Sequence, residues 1–231
     1  ENQVIAPTFN LNQLYKMYQS DPEISMGSIL RSITELVLDV PEQFNPKSIT
    51  EYENAKKKLF IRVSSAEKNE EMLQNVPHQM REDLAITYHL AISTDDIGVG
   101  STTITNDILK RYGISEEQLH ADAMENAQEI RPADFRTMAA VMAEMMGMPE
   151  EMMADMAPPM YVATNQDKVH GAAVMFYTDF MDQAAKELGG DIFILPSSVH
   201  EVLILPDDGN MDAQELKEMV TSINASEVSP E

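Results

Sequence analysis

The chain contains no cysteine, and this absence excludes several kinds of chemistry at once. Disulfide bonds, cysteine nucleophiles and thiolate metal sites all need a residue that the sequence does not have. The absence is compatible with an oxidising or a reducing compartment, so it does not locate the protein. Hydrophobic residues make up 43% of the 231 positions, which is enough for a real core.

Basic residues are scarce. The sequence has 16 lysines and arginines against 39 aspartates and glutamates, which gives a net charge of −23. Nucleic-acid binding normally needs a basic stripe that displaces counterions, and an anionic membrane surface repels a chain of this charge. We therefore expect no nucleic-acid partner and no membrane partner, and we interpret the acidic excess as favouring solubility.

Long apolar runs are also missing. No stretch of 18 or more apolar residues predicts a membrane span, and no secretory hydrophobic region is visible. We expect a soluble, cytoplasmic protein. The chain begins at Glu1, so the sequence is also compatible with a leader that has been removed.

Hydrophobic periodicity predicts an α+β fold with a helix-rich N-terminal part that contains short strands. We expect N-terminal helices at 11–19, 22–40, 48–58, 66–76, 106–113 and from 115 onward, and strands at 59–63, 84–93 and 102–105. The C-terminal lobe is expected to follow the order ββαββα. Its strands are placed at 160–164, 172–177, 192–195 and 199–205, and its helices at 179–188 and 212–223.

The composition changes between these two parts, where methionine becomes frequent. Nine of the 18 methionines lie between Thr137 and Met160, and Pro149 divides this stretch into two short predicted helices. We therefore divide the chain into an N-terminal α+β lobe at 1–130, a methionine-rich helical connector at 131–158 and a C-terminal lobe at 159–231. Packing of all three parts as a single domain is the alternative.

The methionines also suggest a partner surface, because their side chains are soft and adaptable. The candidates for a surface that binds a protein helix or a small apolar ligand are Met138, Met142, Met145, Met146, Met153 and Met156. Packing in a core between the lobes is the simpler interpretation, and a soft-metal site is a third.

The segment from Ile192 to Pro206 holds the one compact cluster of chemically capable side chains. Ser197, Ser198, His200 and Glu201 are the residue types of a Ser-His-acid hydrolase. In a regular strand, however, neighbouring side chains point to opposite faces, and the sequence has no Gly-x-Ser-x-Gly elbow. We therefore favour a structural role, in which the serines bond turn amides and His200 bonds a neighbouring element.

No metal or cofactor site is predicted. The five histidines show no His-Glu-x-x-His pattern, although two of them, His170 and His200, could converge in the C-terminal lobe. The tract from Asp95 to Gly100 lacks the ligand ladder of a calcium loop, and we interpret it as a hairpin connection.

Segments from the N-terminus to about residue 206 share a family pattern. They include Ala6-Pro7-Thr8, Val76-Pro77-His78 and, above all, Leu195-Pro196-Ser197-Ser198-Val199-His200-Glu201-Val202. In these segments the chain resembles an uncharacterised bacterial family that is common in anaerobic Gram-positive gut bacteria. The resemblance implies a compact bacterial protein of unknown function and supplies no catalytic residues.

Three functional hypotheses follow from the sequence. The first is a non-catalytic binding or regulatory protein that acts on a protein or a small ligand. The second is a hydrolase or metal-dependent enzyme centred on His200 with Ser197 or Ser198. The third is a purely structural component.

Overall fold

The computed structural model describes residue 27 and residues 47–95, 98–209, 212 and 216–218. Contacts between Cα atoms divide the chain into two compact units, residues 1–50 and residues 51–231. In the first unit the described residues include the short helix α1 (Lys47–Thr50). The helix expected at 11–19 lies outside the described residues. So do all but residue 27 of the helix expected at 22–40, and all but 212 and 216–218 of the helix expected at 212–223.

The second unit begins with short helical segments that lead into a sheet. Helix α2 (Tyr52–Ala55) continues into a 3₁₀ turn at Lys56–Lys58. The helix predicted at 48–58 is therefore interrupted, because Glu51 adopts an extended conformation between α1 and α2. The polar stretch predicted as a helix at 66–76 contains a 3₁₀ turn at Glu67–Asn69 and the helix α3 (Glu70–Leu73).

The first sheet has four antiparallel strands organised around the longest of them, β3. Its strands are β1 (Leu59–Ser65), β2 (His78–Arg81), β3 (Leu84–Asp95) and β4 (Gly98–Thr103). One side of β3 pairs with β1, and its other side pairs first with β2 and then with β4. Strands β1 and β3 and the pairing of β3 with the strand that follows it confirm the prediction. The connection predicted at Asp95 to Gly100 was too long, because Asp95 belongs to β3 and residues 98–100 belong to β4. Strand β2 had not been expected.

Two helices follow, α4 (Asn106–Tyr112) and α5 (Glu116–Ile130). The N-cap of α4 is Thr105, whose hydroxyl accepts a bond from the Ile108 amide. Ser115 caps α5 in the same way. Helix α5 packs on β1 through a buried stripe at helical spacing, formed by Leu119, Ala123 and Ala127.

The second sheet is also antiparallel, with the order β5-β6-β8-β7. Its strands are β5 (Ala133–Thr137), β6 (Tyr161–Asn165), β7 (Ile192–Pro196) and β8 (Val202–Pro206). Helices α6 (Met138–Met146) and α7 (Glu150–Met153) lie between β5 and β6, which confirms that Pro149 separates two short helices. Helix α8 (Phe180–Leu188) precedes β7.

The predicted ββαββα order of the C-terminal part fails at one strand. Residues predicted as a strand at 172–177 form a 3₁₀ segment, Gly171–Phe176. Its residues Gly171 to Val174 are all buried, and an apolar run that is buried on every side shows no periodicity that separates strand from helix. The fourth strand is instead β5, inside the stretch that was predicted as a helical connector.

Both sheets meet the same 3₁₀ segment, which packs on β1 of the first sheet and on β6 and β8 of the second. Helix α5 covers one face of the first sheet. The other face is turned toward the 3₁₀ segment. Among the described helices, none has both the length and the apolar content that crossing a bilayer requires.

Gly171 lies where the backbone segments approach most closely. A Cβ atom at this position would lie 2.1 Å from the Thr164 hydroxyl oxygen, 2.5 Å from the His200 carbonyl oxygen and 2.6 Å from the Asn165 amide nitrogen. Two of these three atoms belong to the backbone, so the clash cannot be relieved by a side-chain rotation.

We therefore expect Gly171→Ala to lower the free energy of unfolding by about 1–3 kcal/mol, the usual cost of overpacking. Chemical denaturation measures the change, and Gly190→Ala is the matched control because nothing lies within 4 Å of its Cβ position. Equal stability of the two variants would contradict the close approach.

Candidate functional site

One face of the first sheet is polar, although it is largely buried. In β1, Phe60 and Arg62 alternate with the apolar residues that face α5, so they point to the opposite face. The strand register pairs Phe60 with His89 and Arg62 with Thr87, and it pairs His89 with Thr103 of β4. Directly opposite residues share a face, so these side chains form one polar surface.

A second arginine reaches this surface from the end of α5. Arg131 is only 3% exposed, and its Nε and Nη2 atoms donate to Asp167 Oδ2 at 3.2 and 3.0 Å. Its guanidinium carbon lies 5.1 Å from the centre of the Phe60 ring, and that of Arg62 lies 5.6 Å from the same centre. The two guanidinium groups are thus held against one aromatic ring.

Each guanidinium keeps a buried donor without a partner. Arg62 Nη2 donates to Ser101 Oγ at 2.6 Å, but Arg62 Nε is buried and unpaired, and so is Arg131 Nη1. Within the described part of the chain, these are the two buried side-chain polar atoms that lack a hydrogen bond. Buried donors are nearly always satisfied, and each unsatisfied one costs about 1–3 kcal/mol.

Two histidines lie close to the arginines, and burial keeps both neutral. The His89 ring has Thr87 Oγ1 at 3.0 Å from Nε2 and Thr103 Oγ1 at 3.3 Å from Nδ1. Burial, with repulsion from the Arg62 charge, holds the pKa of His89 well below its usual value. Burial and the same kind of repulsion lower the pKa of His170 to about 4. Neither ring therefore adds positive charge at neutral pH.

The loop that carries His170 is held in an unusual conformation. Lys168 and His170 have positive φ angles of 55° and 50°. The Asn165 side chain fixes the loop, since its Nδ2 donates to the Val169 carbonyl at 2.9 Å and its Oδ1 accepts from the Val169 amide at 3.3 Å. Non-glycine residues in the left-handed region are strained, and such strain is concentrated at functional sites.

The predicted hydrolase candidates lie beside this loop, in the connection between β7 and β8. The expectation that His200 and Glu201 belong to a strand was wrong, because β8 begins at Val202. Ser198 Oγ accepts a bond from the His200 amide at 3.0 Å, and Ser197 Oγ donates to the Glu201 carbonyl at 3.4 Å. Both serines therefore bond the backbone of their own turn.

The hydrogen bond to the His200 ring fixes its tautomer. The His170 amide donates to His200 Nδ1 at 3.1 Å, so a neutral His200 carries its proton on Nε2. In a Ser-His-acid triad the arrangement is reversed, because Nδ1 donates to the acid and Nε2 accepts the serine proton. The observed bond therefore opposes a general-base role for the Nε2 atom.

His170 and His200 do converge, with ring centres 5.5 Å apart. Even so, the described residues contain no group of three or more histidines and carboxylates that could hold a metal ion. His78 and His120 lie elsewhere, at 3.0 Å from the Val76 carbonyl and 3.1 Å from the Tyr88 hydroxyl.

The methionine candidates are split between interior and surface. Met153 is buried in a cluster with Ala139 and Ala143, and Met142 packs against that cluster. Met138 is half-buried. The others, Met145, Met146 and Met156, are exposed.

A separate cavity of about 370 Å³ lies between the start of β1, β3 and the end of α5, and neither arginine lines it. Its lining includes Lys58, two residues before Phe60 in the chain, and Ile130, which directly precedes Arg131. The remaining lining residues are Lys57, Ala91, Ile92 and Glu129. The cavity thus combines aliphatic walls with two lysines and a glutamate.

Sequence reasoning missed Arg62, Arg131 and His89. One signal was present, because Arg62 interrupts the apolar run Leu59-Phe60-Ile61-Arg62-Val63 of a strand that was predicted to be buried. A charged residue in such a run needs a partner inside the fold. No comparable signal marks Arg131, which follows a polar helix.

Comparison with known proteins gives one match. A family model described as "Family of unknown function (DUF5688)" matches residues 1–231. No curated protein and no solved structure matches the chain.

The depressed pKa of His170 predicts a pH dependence of stability. Because the pKa is lowered on folding, the unfolded chain binds the proton more readily, and the contribution of this residue falls as the pH drops from about 6.5 toward 4. A titration of the histidine ring protons by NMR should show one midpoint near pH 4. This midpoint should be absent in His170→Asn, which has no imidazole ring. Asparagine is the replacement because it tolerates the left-handed backbone at this position. A midpoint near the ordinary value for this resonance would refute the assignment.

Proposed function

Since the chain belongs to the Family of unknown function (DUF5688), we propose its function from the site itself: a non-catalytic protein that binds an anionic group between Arg62 and Arg131. A carboxylate or a phosphate has the required chemistry. The observation that carries the proposal is the pair of buried guanidinium N–H donors without partners. Such donors bind an oxyanion strongly, because the hydrogen bonds are assisted by charge.

The local charges support an anionic ligand. Two guanidinium groups face one ring, and Asp167 supplies one carboxylate to pair with Arg131. The neighbouring Arg131 and burial together lower the pKa of Arg62 to about 10, with burial the larger cause. A buried positive charge without a counter-ion is costly, so a bound anion would stabilise this arrangement.

The acidity of the whole chain does not cancel this local attraction. Exposed carboxylates more than about 8 Å away are largely screened at physiological ionic strength, whereas buried groups are screened far less.

The alternative, a hydrolase or metal-dependent enzyme centred on His200 with Ser197 or Ser198, receives no such support. The backbone bond to Nδ1 sets the tautomer against general-base catalysis, and both serine hydroxyls bond turn backbone. We therefore place the binding function first.

We further propose that the protein works in a bacterial cytoplasm, as its resemblance to a bacterial family supports, and without a nucleic-acid partner, as its net charge supports. We also propose that the chain is organised as an N-terminal lobe at 1–130, a methionine-rich connector at 131–158 and a C-terminal lobe at 159–231.

Inorganic phosphate and acetate, titrated into the full chain at constant ionic strength, test the binding proposal. We expect either anion to raise the melting temperature at neutral pH, and we expect phosphate, which stays charged near pH 4, to raise the pKa of His170, because a nearby negative charge favours the imidazolium form. In Arg62→Met both responses should vanish. Without anion, the free energy of unfolding of this variant should lie between the wild-type value and about 1 kcal/mol above it. The reason is that a buried charge near Arg131 is removed.

Arg111→Met is the matched control, because Arg111 is an exposed residue of α4 and its loss changes the net charge equally. This control should keep the full anion response. An equal response in wild type and Arg62→Met, or none in the wild type, would exclude binding at the two arginines.

A further inference from the structure

Helices α6 and α7, with the turn that follows α7, form an exposed surface that the anion site does not use. We call residues 138–156 the methionine hairpin. Its inner side is the cluster of Ala139, Ala143 and Met153. Five methionines lie outward around the turn and are 44–82% exposed: Met145, Met146, Met148, Met152 and Met156.

The hairpin is anchored, so this exposure is a stable feature of the fold. Glu144 binds both Arg136 and Lys168, and the Thr137 hydroxyl donates to Glu150 Oε1 at 2.8 Å. The Met138 amide donates to the Met160 carbonyl at 2.8 Å, which joins the base of the hairpin. These contacts fix the hairpin to β5 and to the loop after β6.

Within the segment that carries these methionines the charged residues have one sign, and the nearby cations Arg136 and Lys168 are paired with Glu144. Residues 138–160 contain no lysine, arginine or histidine, and their four acidic residues, Glu144, Glu150, Glu151 and Asp155, are all exposed. Ion pairs neutralise Glu144, so the acidic character comes from Glu150, Glu151 and Asp155. The surface is therefore apolar at its centre and negative at its rim.

We infer that the methionine hairpin is a docking surface for a basic amphipathic helix of another protein. Methionine side chains are flexible and polarisable, so they adapt to the apolar face of a helix. Lysines and arginines flanking that face would complement the acidic rim and speed association. A second copy of this chain would instead bring two acidic rims together, and an anionic bilayer would be repelled.

A designed peptide tests this inference with the full-length chain. The probe is a fluorescent helix-forming peptide of leucine and lysine, with the leucines at helical spacing, and its binding is followed by anisotropy. We expect saturable binding by the wild type. Replacing Met145, Met146, Met152 and Met156 together with glutamine should weaken binding at least about tenfold. The fold should be preserved, because all four side chains are exposed.

Met72→Gln combined with Met80→Gln is the matched control. These methionines are 38% and 46% exposed but lie in α3 and β2, outside the hairpin. Affinity in this control should match the wild type, and a leucine–glutamate peptide of equal length should not bind.

Three outcomes would overturn the inference. The first is the absence of saturable binding by the wild type, and the second is equal weakening in both multiple variants. The third is a concentration-dependent dimer in sedimentation that disappears in the hairpin variant, which would identify a second copy as the occupant.

Discussion

Arg131 is the residue on which the second unit depends. Its amide closes the end of α5 by bonding the Ala127 carbonyl, and its own carbonyl accepts the Tyr177 hydroxyl at 2.9 Å. Its side chain binds Asp167 after β6 and lies against Phe60 of β1. Arg131 thus connects helix α5, both sheets and the 3₁₀ segment to one another. Removing Asp167 would leave the nearly buried Arg131 charge without its counter-ion, which is destabilising.

The same residue is central to the anion site that we propose for this acidic chain. Arg131 is held in place by Asp167, so one of its N–H groups can stay unpaired without the side chain moving toward solvent. Arg62 is fixed in turn by Ser101 and by its place in a central strand pair. The fold therefore maintains two positive charges close together at a cost in stability, which is typical of sites that are shaped for a ligand.

Elements with strong periodicity were predictable from the sequence, and the site was not. Strands β1, β3, β7 and β8 and the helices on either side of Pro149 follow from apolar spacing and helix breakers. Strand β5 and the 3₁₀ segment at Gly171 did not, because a five-residue strand and a fully buried run carry weak periodic signals. The site combines Arg62, His89, Arg131 and His170, which only the strand register and the packing of the 3₁₀ segment bring together. The cluster that did stand out, Ser197 to Glu201, uses its polar groups to shape a turn.

The arrangement of strands also sets the order in which the molecule can fold. Strand β3 meets β2 and β4 across short connections, so two hairpins of the first sheet form from neighbouring chain. The second sheet needs β5 to find β6 across the methionine hairpin, and Arg131 to find Asp167 at a separation of 36 residues. Contacts of greater sequence separation form more slowly. We therefore expect the pairing of β5 with β6, and of Arg131 with Asp167, to form later than the two hairpins of the first sheet.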